Sequence, residues 1–164
     1  MKSISLKENI SLNRRVLFVA SFGGHWIQLN KIICHFDLKN SFLSSTDVNA
    51  IDLVKKKLPV KSEYLLLEDV NKSNLSGVFG NLFRCFRFIG KHKIDVVVST
   101  GALPGLICCF SAFVLRRKTI WIDSLANVKR LSLSGKVAKL FCTIVLTQWP
   151  HLEKGSIKYR GRVL

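Results

Sequence analysis

At 164 residues the chain has room for one domain, and a hydrophobic content of 48% fits a buried sheet. Its net charge of +16 is uneven: residues 1–70 hold ten Lys/Arg against seven Asp/Glu, and residues 71–164 hold sixteen against three. No run reaches the roughly 18 apolar residues of a membrane span, and the polar N-terminus has no signal-peptide core.

Five cysteines without a C-x-x-C pattern read as reduced core thiols, not a disulfide framework. The four histidines have no metal-ligand spacing. Basic charge beside apolar stretches points to an anionic membrane surface at least as readily as to nucleic acid.

Met1–Arg15 reads as a polar leader, and residues 16–164 as a single domain. Val16–Ala20 is continuously apolar, the pattern of a parallel strand buried on both faces. Ser21-Phe22-Gly23-Gly24 breaks it, and from His25 the apolar residues take helical spacing. A strand, a glycine turn and a helix follow one another. The helix N-terminus presents unpaired N–H groups, and Gly23 and Gly24 let a phosphate approach them. His25 adds a side-chain donor, although neither dinucleotide-binding nor P-loop spacing is present.

Ser41–Ser45 is the second strand and Val48–Lys57 a short amphipathic helix that Pro59 stops. Glu63–Leu67 is the third strand. Leu75–His92 is a longer helix whose aromatic residues cover more than one face, with arginines among them. Some of these side chains belong to a core, and the surplus suits a membrane interface. Ile94–Ser99 is a buried strand running into Thr100-Gly101-Ala102-Leu103-Pro104-Gly105, which opens a helix over Leu103–Leu115.

Thr119–Asp123 is the next strand, followed by a polar, basic loop over Leu125–Arg130. A short helix is expected at Val137–Phe141 and a sixth strand at Thr143–Thr147, followed by Gln148-Trp149-Pro150. A last short stretch is Ile157–Tyr159. The alternation predicts an α/β fold, a Rossmann-like, mostly parallel sheet flanked by helices. Ligands bind such sheets beyond the carboxyl ends of the strands. The loops Ser21–His25, Ser99–Gly105, Asp123–Asn127 and Gln148–Pro150 are therefore expected on one rim, around an anion or a nucleotide-sized ligand.

Four stretches, Ser-Phe-Gly-Gly-His-Trp-Ile-Gln-Leu, Ser-Thr-Gly-Ala-Leu-Pro-Gly, Asp-Ser-Leu-Ala-Asn-Val-Lys-Arg-Leu-Ser-Leu-Ser-Gly-Lys and Thr-Gln-Trp-Pro, occur in this order. Together they resemble the acceptor-side subunit of two-subunit, MurG-like glycosyltransferases. That family includes the membrane-anchor subunit of the dolichol-diphosphate UDP-GlcNAc transferase and capsule and exopolysaccharide proteins of the PssD type. The resemblance covers about residues 16–164.

It implies the N-terminal half of a GT-B glycosyltransferase, with a separate donor-binding subunit as the C-terminal half. The partner would bring the UDP-sugar. This chain would hold a lipid-diphosphate-saccharide acceptor at the cytoplasmic face of the membrane, as a peripheral protein. No cofactor or metal is implied. By the same resemblance Gly23, Gly24, Thr100, Gly101, Gly105, Ser124 and Asn127 would bind acceptor or phosphate. His25 and Asp123 would be the candidate bases.

The family commonly has Glu-Ser where Asp123-Ser124 stand, and Arg where Asn127 stands. Losing that guanidinium removes a bidentate contact, which Lys129 or Arg130 is available to replace. Other roles remain open: Asp123 as a turn cap, Ser132 and Ser134 as helix caps, Trp149 as packing. Two further readings compete. One is a non-catalytic scaffold that activates its partner, the other a basic nucleic-acid-binding module. Against the latter, the aromatics lie in apolar helical runs instead of on a strand platform.

Overall fold

The computed structural model describes residues 14–36, 38–70 and 76–163. The leader reading for Met1–Arg15 falls almost wholly outside them, as does Leu75. The elements are β1 (Val16–Val19), α1 (Gly24–Ile33), β2 (Ser41–Ser45), α2 (Val48–Lys55), β3 (Tyr64–Leu66), α3 (Ser76–Lys91), β4 (Val96–Ser99), α4 (Ala102–Val114), β5 (Lys118–Ile122), α5 (Leu133–Ala138), β6 (Ile144–Thr147) and β7 (Ile157–Tyr159). A 3-10 turn at Pro150–Leu152 links the last two strands.

The seven strands are all parallel, in the order β3-β2-β1-β4-β5-β6-β7. The expected Rossmann-like sheet is therefore present, with two adjustments. Ile157–Tyr159, read only as a last short stretch, is a strand paired to β6. The short helix expected at Val137–Phe141 starts four residues earlier, at Leu133. The reason is a cap: the Ser132 hydroxyl accepts a hydrogen bond from Gly135 N at 2.8 Å.

Side chains alternate across the sheet, so each strand feeds two cores. Val16, Phe18, Val96, Val98, Ile120 and Ile122 join Trp26, Leu29 and Ile51 from α1 and α2. Leu17, Val19, Val97 and Trp121 join Cys85, Ile89, Cys108 and Cys109 from α3 and α4. Burial on both sides explains why β1 and β4 read as unbroken apolar runs.

The five cysteines are all free thiols, and three of them are buried. The hydrogen bond with Cys85, then burial, pushes the Cys108 thiol up. The bond with Cys142, then burial, does the same for Cys109. Among the described residues no helix is long and apolar enough to cross a membrane.

Candidate functional site

The direction of winding reverses between β1 and β4. From β1 the chain winds outward through β2 and β3, then returns to place β4 on the other side of β1. Their following helices, α1 and α4, pack on opposite faces, which opens a crevice at the carboxyl ends of the two strands. Because all strands are parallel, the loops after β1, β4, β5 and β6 share this rim, as their sequences predicted.

Both helices that flank the crevice begin in the same way. Gly23 precedes α1 with φ +103°, and Gly101 precedes α4 with φ +135°. Neither helix has a side-chain cap or an acidic residue in its first turn. By contrast, Asp47 caps α2 and Ser132 caps α5. The first N–H groups of α1 and α4 thus remain available to an anion. Ala102, with φ +65°, adds a non-glycine residue in the left-handed region at the start of α4. Such conformations are held against a cost of order 1–3 kcal/mol and concentrate at ligand-binding sites.

The crevice walls are latched together. His25 Nδ1 lies 2.8 Å from the Thr100 carbonyl oxygen, and Thr100 Oγ1 donates to the His25 carbonyl at 2.8 Å. A carbonyl only accepts, so Nδ1 carries the proton, which in the neutral imidazole leaves Nε2 as the acceptor. The imidazole lies directly on Gly101, where a Cβ would collide with its Nδ1 and Cε1 atoms. At Gly105 a Cβ would collide with Ser99 Oγ, which accepts from Gly101 N at 3.2 Å. Nothing lies within 4 Å of a Cβ built at Gly23 or Gly24. Those two positions face open space, as a phosphate-approach loop requires.

Asp123 is placed differently from the other candidates. It is only 2% exposed. Its Oδ1 accepts from Trp121 Nε1 at 3.2 Å and from Ser132 Oγ at 2.5 Å, and its Oδ2 accepts from Ser132 N at 2.9 Å. A Cβ on Gly135 would come within 2.6 Å of Oδ1. The carboxylate thus ties the loop after β5 to the start of α5, beneath the rim, and its geometry supports the turn-cap role.

Ser124 does reach the rim network. Its hydroxyl accepts from Gln28 Nε2 at 3.1 Å and from Ala126 N at 3.3 Å. Asn127 donates its backbone N–H to the Ser124 carbonyl at 3.0 Å. Lys129 and Arg130 are exposed on the same loop.

Sequence reasoning placed the Gln148 loop on the rim but named neither Gln28 nor Gln148 as a site residue. Gln28 sits one helical turn after His25, and its Oε1 accepts from Leu125 N at 3.2 Å and Gln148 Nε2 at 2.9 Å. Gln148, 1% exposed, also donates to the Asp123 carbonyl at 2.9 Å and accepts from Val163 N at 3.0 Å. Trp149 Nε1 closes the set on the Leu125 carbonyl at 2.9 Å, and Arg162 stacks 4.2 Å from the Trp149 ring centre. The available signal was position: each glutamine falls at a strand-end loop or on the His25 face of α1.

Two other features bear on chemistry. A cavity of about 530 Å³ lies on the α1 side of the sheet, between the end of α1 and residues 160–163; Gln148 lines it, and no residue of the glycine loops does. Among the described residues no group of three or more His, Cys, Asp or Glu is placed to hold a metal ion.

Comparison with known proteins agrees with this fold. Residues 15–163 match the family model described as "Oligosaccharide biosynthesis protein Alg14 like". The "UDP-N-acetylglucosamine transferase subunit ALG14" of Yarrowia lipolytica is 30% identical over 87% of this chain and 76% of its own length. The subunit of the same name from Rattus norvegicus is 26% identical over 91% of this chain and 82% of its own length. Among solved structures, Acinetobacter baumannii MurG superposes with a TM-score of 0.66 at 13% identity, over 88% of this chain and 44% of MurG. The UDP-N-acetylglucosamine 2-epimerase of Rickettsia bellii gives 0.67 at 15% identity, over 92% of this chain and 45% of the epimerase. The chain spans less than half of either solved protein, and at these identities the likeness shows a shared fold. On a match that runs through every strand and both walls of the crevice, the chain belongs to the Alg14-like family of oligosaccharide biosynthesis proteins.

Proposed function

We propose that this chain is the acceptor-binding subunit of a two-component glycosyltransferase. With a donor-binding partner it transfers a sugar from a UDP-sugar to a lipid-diphosphate-linked saccharide, in the assembly of a capsular, exopolysaccharide or related glycan. It works as a peripheral protein on the cytoplasmic face of a membrane. The carrying observation is the pair of uncapped, glycine-led helix N-termini facing one crevice, with the His25 imidazole joining them. That combination suits a diphosphate and an adjacent hydroxyl. The relatives' name as UDP-N-acetylglucosamine transferase subunits supports both the donor class and the need for a partner.

In the proposed step the acceptor hydroxyl attacks the anomeric carbon of the sugar on the partner. The new C–O bond forms as the bond to UDP breaks, and UDP leaves with the electron pair. His25 Nε2 takes the hydroxyl proton. The α1 and α4 N-termini, with Lys129 or Arg130, hold the acceptor diphosphate. Gln28 and Ser124 fix the distance between His25 and the loop after β5, and Asp123 holds that loop from below. Alignment supplies much of the rate. A stable pair of subunits would bury about 1,200–2,000 Å².

The test is reconstitution with a donor-binding candidate partner, followed by transfer of labelled sugar to a lipid-diphosphate acceptor. Transfer is expected only with both chains present, and His25→Gln is expected to lower its rate by about 10²–10⁴. Full activity of the partner alone, or of the His25→Gln pair, overturns the reading.

A further inference from the structure

We propose that Trp149 and His151 are positioning residues for the acceptor. From the turn after β6 they grip the basic loop over residues 125–130 and set how tightly its cations meet the acceptor diphosphate. The inference rests on the reading of that loop as part of the acceptor site.

The loop has little of its own to hold it. It leaves β5 at Asp123 and returns at Ser132, and the Asp123 carboxylate closes its base. Gln28 Oε1 takes the Leu125 N–H at 3.2 Å. Beyond that point the N–H groups of Ala126 and Asn127 turn inward, to Ser124. Ala126, Val128, Lys129 and Arg130 are exposed. Among the described residues a single hydrogen bond joins residues 126–130 to anything outside the loop. It is the one that His151 Nε2 donates to the Val128 carbonyl at 2.6 Å.

The turn that supplies the grip is braced from within. The Trp149 N–H donates to Thr147 Oγ1 at 3.2 Å, the Leu152 N–H to the Trp149 carbonyl at 3.1 Å and the Glu153 N–H to the Pro150 carbonyl at 3.1 Å. Pro150 fixes its own φ, and β7 then pairs beside β6. The Arg162 guanidinium covers the Trp149 ring.

From this base two donors reach the loop at carbonyls three residues apart. Trp149 Nε1 takes Leu125 at 2.9 Å and His151 takes Val128. One contact would leave the segment free to turn about it, whereas two fix its direction as well as its place. His151 is itself exposed, so packing does not account for where it sits.

Lys129 and Arg130 follow Val128 directly. Their cations meet a phosphate only when the backbone beneath them is ordered, and ordering a loop during binding subtracts from affinity. The two contacts supply that order in advance. His25 is held separately, by Thr100, so the chemical step is not expected to share the effect.

The experiment compares Trp149→Phe, His151→Ala and His151→Gln with wild type by three measurements. Trypsin cleavage of the folded full chain after Lys129 and Arg130, followed by fragment mass, reads the order of the loop without any ligand. Calorimetric titration with farnesyl diphosphate, with farnesol as the control for its chain, reads diphosphate affinity. Steady-state transfer by the reconstituted pair separates KM from kcat. In Trp149→Phe and His151→Ala, loop cleavage is expected to accelerate and both the farnesyl diphosphate Kd and the acceptor KM to rise, each by about 3–10-fold, the worth of one hydrogen bond. The value of kcat is expected to stay within about twofold. In His151→Gln the amide nitrogen takes the place of Nε2, and all three quantities are expected to return toward wild type. The exposed His151 decides the matter if Trp149→Phe does not fold.

Unchanged loop cleavage or unchanged Kd in folded His151→Ala overturns the proposal. So does a kcat that falls as far as KM rises, or a His151→Gln variant no better than His151→Ala. Each of these outcomes, with wild-type binding of farnesyl diphosphate intact, leaves the acceptor site standing. A wild-type chain that binds farnesyl diphosphate no better than farnesol overturns the acceptor site, and the positioning role with it.

Discussion

The His25 imidazole donates from Nδ1 to the Thr100 carbonyl at 2.8 Å, across the point where the strand order reverses. This one contact fixes the tautomer of the neutral ring and joins the two helix starts. His25→Gln keeps a polar side chain but provides no basic nitrogen. The expected outcome is a fall in kcat of about 10²–10⁴ with little change in melting temperature. Steady-state transfer rates of the reconstituted pair, beside a thermal melt of each variant, check it.

Gly101→Ala attacks the same contact from the other side. The position has φ +135°, and the added methyl would collide with the His25 ring. Backbone strain alone is worth about 1–3 kcal/mol, and the ring must also move off its hydrogen bond. Loss of stability together with loss of transfer is expected, measured by denaturant unfolding and by kcat. Gly24→Ala is the informative comparison. Its Cβ meets nothing within the chain, so stability should hold while acceptor KM rises.

Asp123 separates a catalytic from a positioning role. Its carboxylate accepts three hydrogen bonds, two of them from Ser132. Asp123→Ala leaves these buried donors unpaired and is expected to cost roughly 2–4 kcal/mol. Ser132→Ala, which removes the α5 cap and one of the bonds, should cost about 1–2 kcal/mol. Transfer per folded molecule, assayed well below each melting temperature, should stay within about tenfold of wild type for both, unlike the loss at a general base. A drop at Asp123 as deep as that at His25, without loss of stability, overturns the positioning role.

These roles mark how far the sequence was legible. The parallel sheet followed from the apolar runs at Val16–Ala20 and Ile94–Ser99, because burial on both faces leaves no alternation to misread. The crevice followed from Gly23, Gly24 and Gly101, since backbone freedom is written in residue type. What Asp123 touches was not legible. A carboxylate after a strand has the same local pattern whether it faces substrate or Ser132, and only the packing of α5 decides. The start of α5 was displaced for a related reason: Ser132 and Ser134 both have the chemistry of a cap, and tertiary contact with Asp123 selects the first. Gln28 and Gln148 bond across 120 positions of sequence, a relation that no local pattern carries.

His92 provides a prediction about acid stability. It lies against Phe88 and Phe42, with ring centres 4.3 and 5.0 Å away. Burial, then the neighbouring Lys91 and Arg15 charges, holds its pKa below the ordinary 6.5, with Glu63 opposing. The unfolded chain therefore binds a proton at this residue more readily than the folded one. Between the ordinary value and the depressed one, the unfolded state carries more protons, so stability rises with pH there. Conversely, the contribution is present above this window and is lost as the pH falls through it. His92→Gln removes the titration but keeps a similar volume against the two rings. Urea unfolding measured across the acid range should give the variant a shallower loss of stability than wild type below pH 6.5. The two proteins should run parallel above it. Equal slopes throughout would mean that the His92 environment does not discriminate between its charged and neutral forms.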